Sequence, residues 1–176
     1  MDAPATPAPD SKDWTWVLER PCPDCGYDAR TVEPAELSRL VTEASRPWAA
    51  VLARPDATVR PSPRVWSPSE YACHVRDVLR IFDERVRLML GEDGVRFANW
   101  DQDAAARTER YWSQQPATVA MELAAAAADT AATFAAVGAL DWTRTGIRSN
   151  GSRFTVATLG QYLLHDLRHH LWDVHA

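Results

Sequence analysis

The sequence reads Leu159-Gly-Gln-Tyr-Leu-Leu-His165-Asp-Leu-Arg-His169-His170-Leu-Trp-Asp173-Val174 near its C-terminus, and this stretch decides the fold. Apolar residues recur in it at intervals of three and four positions, the period of an amphipathic α-helix. Thr155 stands just upstream, where threonine commonly caps a helix N-terminus. The stretch therefore predicts a long helix with one buried face, formed by Leu159, Tyr162, Leu163, Leu167, Leu171 and Val174.

Three of the five histidines of the chain fall inside this helix. Residues four apart lie on one helix face, so His165 and His169 can direct their imidazoles at one point, a spacing suited to metal ligands. An i, i+4 histidine pair is also common on an ordinary, partly exposed helix face. His170 projects about 100° away from His169, and we predict that it lies on the helix exterior.

A second helix has the clearest start signal in the chain. In Ser67-Pro68-Ser69-Glu70, serine is a suitable N-cap, proline suits the first helical position, and glutamate can reach back to complete a capping box. The apolar stripe that follows predicts a helix to about Leu90, with Gly91 as the stop. His74 lies about two turns inside this helix.

These two helices together predict a metal site. Helical bundles build such sites from inward side chains of facing helices, so we predict that His74, His165 and His169 are the ligands. Three imidazoles leave at least one coordination position for water or substrate, as in a catalytic site. Each imidazole also needs an acceptor for its other N–H group. Aspartates about one turn away could serve as these acceptors, with Asp77 and Asp173 as the main candidates and Asp166 as a third. Asp166 is also four residues from His170, so Asp166 and His170 could instead form an exposed pair.

The rest of the chain completes an all-α fold, a four-helix bundle over residues 31–176. A helix is predicted from Pro34 to about Leu52, interrupted at Pro47, and an Ala-rich helix from Pro116 to about Val137. Residues 92–113 are predicted to be a connector followed by a short helix. Residues 141–154 contain an Asn-Gly pair that suits a tiny hairpin. Residues 1–30 are predicted to be a disordered tail followed by an irregular extension, which Trp14 and Trp16 fix to the bundle.

Composition excludes several classes of protein. The net charge of −5 argues against nucleic acid as a partner, because phosphate binding normally requires a basic face. No apolar run is long enough to span a membrane, and the N-terminus does not resemble a signal peptide. Three cysteines, an odd number, fit a reducing compartment better than a disulfide framework. We therefore expect a cytoplasmic protein that acts on a small-molecule substrate.

Cys22-Pro-Asp-Cys25 lies ahead of the bundle and has three interpretations. Two thiolates cannot close a tetrahedral zinc site, so a secondary metal site would need histidines or a partner chain. A redox dithiol would be expected in a βαβ context, which this sequence does not offer. The third interpretation is a tight turn with two packed thiols.

Two segments of the sequence resemble a known family. Trp66-Ser-Pro-Ser-Glu-Tyr-Ala-Cys-His74-Val-Arg-Asp77-Val and the C-terminal helix quoted above resemble the DinB-like superfamily of metal-binding four-helix bundles, related to thiol-dependent S-transferases and mycothiol-dependent maleylpyruvate isomerase. The likeness covers roughly Pro34 to the C-terminus. Its most specific part is one histidine in the second helix and an HxxxH in the last.

This resemblance implies an up-down-down-up bundle, commonly a homodimer, with zinc or nickel on His74, His165 and His169. In characterised relatives the metal lowers the pKa of the thiol of a small cofactor such as mycothiol or bacillithiol, which then attacks an electrophile. The leading hypothesis is therefore a divalent-metal-dependent thiol S-transferase. The alternatives are a non-catalytic metal-binding bundle that binds a small molecule or a protein partner, and a redox module using Cys22 and Cys25.

Overall fold

The computed structural model describes Ala5, Pro7 and residues 13–176. Most of the predicted tail, residues 1–12, therefore lies outside the described residues. Six α-helices are described: α1 (Leu37–Ser45), α2 (Trp48–Leu52), α3 (Pro68–Gly91), α4 (Gln102–Thr108), α5 (Pro116–Ala135) and α6 (Val156–Asp173). Short 3-10 helices at Trp14–Leu18, Ala29–Thr31 and Pro34–Glu36 precede α1, and two more at Tyr111–Ser113 and Asp141–Thr143 lie on either side of α5.

The all-α bundle is confirmed, and its order around the core is set by which helices touch. Both α1 and α3 pack against α5 and α6. The first two long helices, α1 and α3, therefore lie diagonally across the bundle from each other, with α5 and α6 between them. The short α2 continues α1 and packs on α3 and α5. Within the described residues, the helices are too short or too polar to cross a lipid bilayer.

The helix ends follow the local sequence closely. The capping box of α3 is present: Ser67 Oγ accepts a hydrogen bond from the Glu70 amide at 3.3 Å, and Glu70 Oε2 accepts one from the Ser67 amide at 2.9 Å. Thr155 caps α6 by accepting from the Thr158 amide at 3.1 Å. Pro47 divides α1 from α2 as predicted, since a proline inside a helix removes a hydrogen bond. Pro34 begins a 3-10 turn and not the α-helix itself.

A small sheet covers one end of the bundle. Its strands are β1 (Val95–Phe97), β2 (Thr145–Arg148) and β3 (Arg153–Thr155), in the order β1-β2-β3. The β2–β3 pair is the predicted hairpin, closed at Asn150-Gly151. The sequence interpretation missed β1, which pairs in parallel with β2 across some fifty residues.

The N-terminal extension packs onto the bundle. Tyr27, Ala29 and Val32 are buried in the same apolar core as the helices. The Tyr27 hydroxyl donates a hydrogen bond to the Gln161 carbonyl of α6 at 2.7 Å, and Gln161 Nε2 donates to the Val32 carbonyl at 2.9 Å. These contacts hold the extension against the N-terminal half of α6.

Gly160 allows α6 to approach α1 and α5 closely. A Cβ atom at this position would lie 2.5 Å from Leu37 Cδ1 and 2.8 Å from Phe134 Cε1. We expect Gly160→Ala to lower the free energy of unfolding by about 1–3 kcal/mol despite the better helix propensity of alanine, because the core must shift to admit the methyl group. Urea unfolding measures this change. Gly91→Ala is the matched control, since its Cβ would meet nothing within 4 Å; equal stability of the two variants would contradict the close approach.

Candidate metal centre

The polar face of α6 directs its histidines toward two different neighbours. His165 and His169 turn toward the N-terminal extension, where the ring of Trp14 lies 5.5 Å and 5.0 Å from theirs. His170 turns toward α3, and its ring meets that of His74 edge-on at 4.7 Å. One helix therefore serves two clusters of side chains.

The first cluster, which we call the Cys2His2 cluster, consists of Cys22, Cys25, His165 and His169. One potential ligand atom from each residue lies within 4.8 Å of the others. Cys22 Sγ is 3.6 Å from His169 Nδ1. Cys22 and His165 are both buried, with exposed fractions of 1% and 3%.

The second cluster, which we call the His2Asp cluster, consists of His74, Asp166 and His170, again with ligand atoms within 4.8 Å. Asp166 Oδ1 lies 3.5 Å from His74 Nε2 and 3.7 Å from His170 Nε2. The other nitrogen of His170, Nδ1, lies 2.7 Å from Asp173 Oδ2 in hydrogen-bonding geometry. Three donor atoms thus surround one point between α3 and α6, and Asp173 orients one of the rings.

Buried atoms in both clusters lack hydrogen-bond partners within the described residues. They are Nδ1 and Nε2 of His74, Oδ1 of Asp166 and Nε2 of His165. A buried polar atom without a partner costs about 1–3 kcal/mol, so such atoms indicate a place where an ion or a water molecule binds. The donors present therefore fit a divalent metal ion.

Electrostatics favour the ligand forms of these groups. Burial alone would raise the pKa of Asp166, but His170 and His74 outweigh it and lower the pKa to about 2. Burial lowers the pKa of His165 to about 4 and also lowers that of His169. At pH 7 the carboxylate is charged and these two imidazoles are neutral, which are the forms that bind metal.

Aromatic rings enclose the His2Asp cluster. Trp100 stacks on His74 with ring centres 5.4 Å apart, and Trp66 lies 5.5 Å from the same ring. Tyr71 lies 5.2 Å from His170. These rings exclude water from two sides of the cluster, which strengthens interactions between charges inside it.

Two cavities lead from the surface to the His2Asp cluster. One, of about 90 Å³, touches both clusters and is lined by Trp14, Gln102, Tyr162, His165, Asp166, His169 and His170. The other, of about 140 Å³, reaches His170 past Arg64, Trp66 and Tyr71. His170 lines both cavities, so each gives access to the His2Asp cluster.

The predicted ligands are divided between the two clusters. His165 and His169 lie together as predicted, while the nearest potential ligands to His74 are Asp166 and His170. The prediction that His170 lies on the helix exterior is corrected, because its side chain is partly buried against His74. A single site formed by His74, His165 and His169 stays a prediction.

The two aspartates predicted to orient the ligand imidazoles, Asp77 and Asp173, have different partners in the structure. Asp77 accepts hydrogen bonds from Arg76 at 2.8 Å, from the Tyr111 hydroxyl at 2.6 Å and from Arg80 at 3.4 Å, so its described partners do not include a histidine. Asp173 does orient an imidazole, that of His170. The sequence did contain a signal for the second cluster, since Asp166 and His170 are four residues apart, but that spacing equally fits an exposed pair.

The architecture and the two clusters define the chain as a helical bundle with two candidate metal-ligand sets along its last helix. The chain belongs to the DinB superfamily, whose family model matches residues 37–174, from the start of α1 to the end of α6. The fold is also similar to that of YfiT from Bacillus subtilis, described as a probable metal-dependent hydrolase with an unusual four-helix bundle topology. That likeness has a TM-score of 0.69 and 14% identity, and covers 79% of this chain and 82% of YfiT. No curated protein matches the sequence.

Proposed function

We propose that this protein is a divalent-metal-dependent enzyme acting on a small molecule, with the ion held by the His2Asp cluster. One observation carries the proposal. Nδ1 of the buried His74 ring has no hydrogen-bond partner among the described residues, and its Nε2 lies 3.5 Å from Oδ1 of Asp166, an ion-pair distance longer than a normal hydrogen bond. In a folded core such a pair is costly unless a ligand satisfies both.

The donor set supports a catalytic and not a purely structural role. Two imidazoles and one carboxylate are the protein ligands of several catalytic zinc sites, and they leave coordination positions for water and substrate. These donors suit zinc or nickel, so the donor types alone do not distinguish the two metals. A bound ion would act as a Lewis acid and lower the pKa of a water or thiol that coordinates it.

The side chains around the His2Asp cluster support metal binding by orienting its imidazoles and limiting their contact with water. Asp173 favours the tautomer of His170 that carries its proton on Nδ1, which leaves the Nε2 lone pair directed toward Asp166. Trp66 and Trp100 both pack against the His74 ring, and His74 is only 1% exposed to water. Both cavities give a reacting group access to His170.

We propose further that the reaction is thiol S-transfer, with a mycothiol-type cofactor as the thiol and a small electrophile as the acceptor. Its support is the resemblance to thiol-dependent members of the family, together with Arg64 at the mouth of the larger cavity, where a cofactor carboxylate could bind. In this reaction the S–H bond breaks and its proton passes to solvent, while the thiolate sulfur forms a bond to an electrophilic carbon and displaces a leaving group, which departs with the electron pair of its own bond to that carbon. We also propose that this chain forms a homodimer, the assembly that its resemblance to the family implies.

The main test compares the native protein with His74→Ala. We expect the native protein to bind a divalent transition metal in the His2Asp cluster and to accelerate conjugation of a low-molecular-weight thiol to a panel of electrophiles. We expect His74→Ala to lose this metal and at least 100-fold in activity, because two donors hold the ion poorly. Metal analysis and product formation measure the two effects.

Two controls separate the alternatives. His175→Ala removes an exposed histidine near the C-terminus and should change neither metal content nor activity. Omitting the thiol tests for hydrolysis, the activity suggested for YfiT, since water would then be the nucleophile. A protein that holds the metal, shifts its melting temperature with a small ligand and turns over nothing would be the non-catalytic bundle, contrary to this proposal.

A further inference from the structure

We propose that the Cys2His2 cluster is a second, closed zinc site that fixes the N-terminal extension to α6. Two thiols from the extension and two imidazoles from the last helix converge although about 140 residues separate them along the chain. Two cysteines and two histidines are one of the common ligand sets of structural zinc. This inference does not depend on the catalytic role of the His2Asp cluster.

The spacing of the ligand atoms fits a tetrahedral zinc ion. Zinc–sulfur and zinc–nitrogen bonds of about 2.3 Å and 2.0–2.1 Å, at a tetrahedral angle, place the sulfur and nitrogen about 3.6 Å apart. The distance from Cys22 Sγ to His169 Nδ1 is 3.6 Å. The other pairs would lie about 3.3–3.8 Å apart on the same ion, within the 4.8 Å that encloses the cluster.

The cysteine loop is already folded as a ligand-bearing turn. The Gly26 amide donates to the Cys22 carbonyl at 2.9 Å, and the Cys22 amide donates to the Tyr27 carbonyl at 2.8 Å. Gly26 has φ of 72°, a left-handed conformation that glycine adopts at little cost, and it lets the chain turn sharply after Cys25. The turn thereby brings both thiols to the same side, facing α6.

The two histidines of the Cys2His2 cluster lie among aromatic side chains. His165 Nε2 is buried and has no hydrogen-bond partner within the described residues, as expected of a ligand nitrogen that awaits an ion. The indole of Trp14 lies over both histidine rings, and the Tyr27 ring lies 5.7 Å from His165. With four protein donors, a tetrahedral ion would have no coordination position left for substrate.

A redox dithiol explains less of this arrangement. A disulfide between Cys22 and Cys25 needs an oxidant and makes no use of two buried imidazoles. The zinc site accounts for all four side chains, and it leaves His74, Asp166 and His170 to hold the other ion.

Cobalt substitution of the native protein tests the proposal without a mutation. Expression in cobalt-supplemented medium should give intense visible d–d bands of tetrahedral Co²⁺ and a near-ultraviolet thiolate-to-cobalt charge-transfer band. His74→Ala should keep the charge-transfer band, because the His2Asp cluster contains no sulfur. The absence of this band from the native cobalt protein would overturn the proposal, whatever the outcome for the other cluster.

A double variant tests the role in folding. We expect Cys22→Ser/Cys25→Ser to lose one equivalent of zinc per chain, to melt at a lower temperature, and to be cleaved by protease within residues 13–32. Cys73→Ser is the matched control: Cys73 is buried in α3, with its sulfur 3.5 Å from Gln114 Oε1, and its replacement should keep the zinc. A double variant that keeps the zinc, or a native protein isolated zinc-free with a Cys22–Cys25 disulfide, would contradict the proposal.

Discussion

Replacing Asp166 by asparagine is expected to weaken metal binding at the His2Asp cluster by more than about 100-fold, a larger effect than the 10–100-fold typical of residues that only orient a ligand. The amide keeps the size of the side chain but removes its charge. Asp166 is the one anionic member of the cluster, lying within 3.7 Å of both imidazoles. Competition with a chromophoric chelator would measure the affinity.

Two further variants calibrate that result. Asp173→Asn should weaken binding by only about 10–100-fold, because it disturbs the orientation of His170 without removing a donor. Asp129→Asn, on the exposed face of α5, should bind metal as the native protein does. If Asp166→Asn and Asp129→Asn bind equally well, Asp166 is not a ligand and the His2Asp cluster is not a metal site.

The largest expected effect on stability is at Glu70. This carboxylate is 2% exposed and is paired in two places with the guanidinium of Arg60, with Arg60 Nε donating to Glu70 Oε2 at 2.7 Å. Arg60 also donates to the Pro63 carbonyl at 3.0 Å, so the pair ties the connector before α3 to its first turn. We expect Glu70→Gln to lower the free energy of unfolding by about 3–5 kcal/mol, because it leaves a largely buried cation without its partner.

Glutamine is the informative replacement because it can still complete the capping box, so the loss reports the charge and not the cap. The matched control is Glu43→Gln, whose carboxylate pairs with Arg39 on the exposed face of α1 and is 47% exposed. Exposed pairs contribute about 0–1 kcal/mol. Urea unfolding that shows equal losses for the two variants would mean that the Arg60–Glu70 pair does not anchor the connector.

Much of the fold could be predicted because its signals are local. The Ser67 cap with Glu70, the interruption at Pro47 and the apolar stripe of α6 each depend on neighbours within a few residues. The strand β1 could not be predicted, because three residues carry little pattern and their partner lies some fifty positions away.

The candidate site was predictable only in part. Helical periodicity shows that His165 and His169 share a face, but it does not show what that face meets. In the structure it meets Cys22 and Cys25, while the next face, with Asp166 and His170, meets His74. The rotation of α6 relative to α3 and the extension depends on packing of the whole core, including the close approach at Gly160.

The central claim is that α6 serves two separate metal sites. A crystal structure of the metal-loaded protein, with anomalous differences collected across the zinc edge and the nickel edge, tests it most directly. We expect two separate metal peaks, one among Cys22, Cys25, His165 and His169 and one among His74, Asp166 and His170. A single peak bound by His74, His165 and His169, with both cysteines unligated, would contradict it.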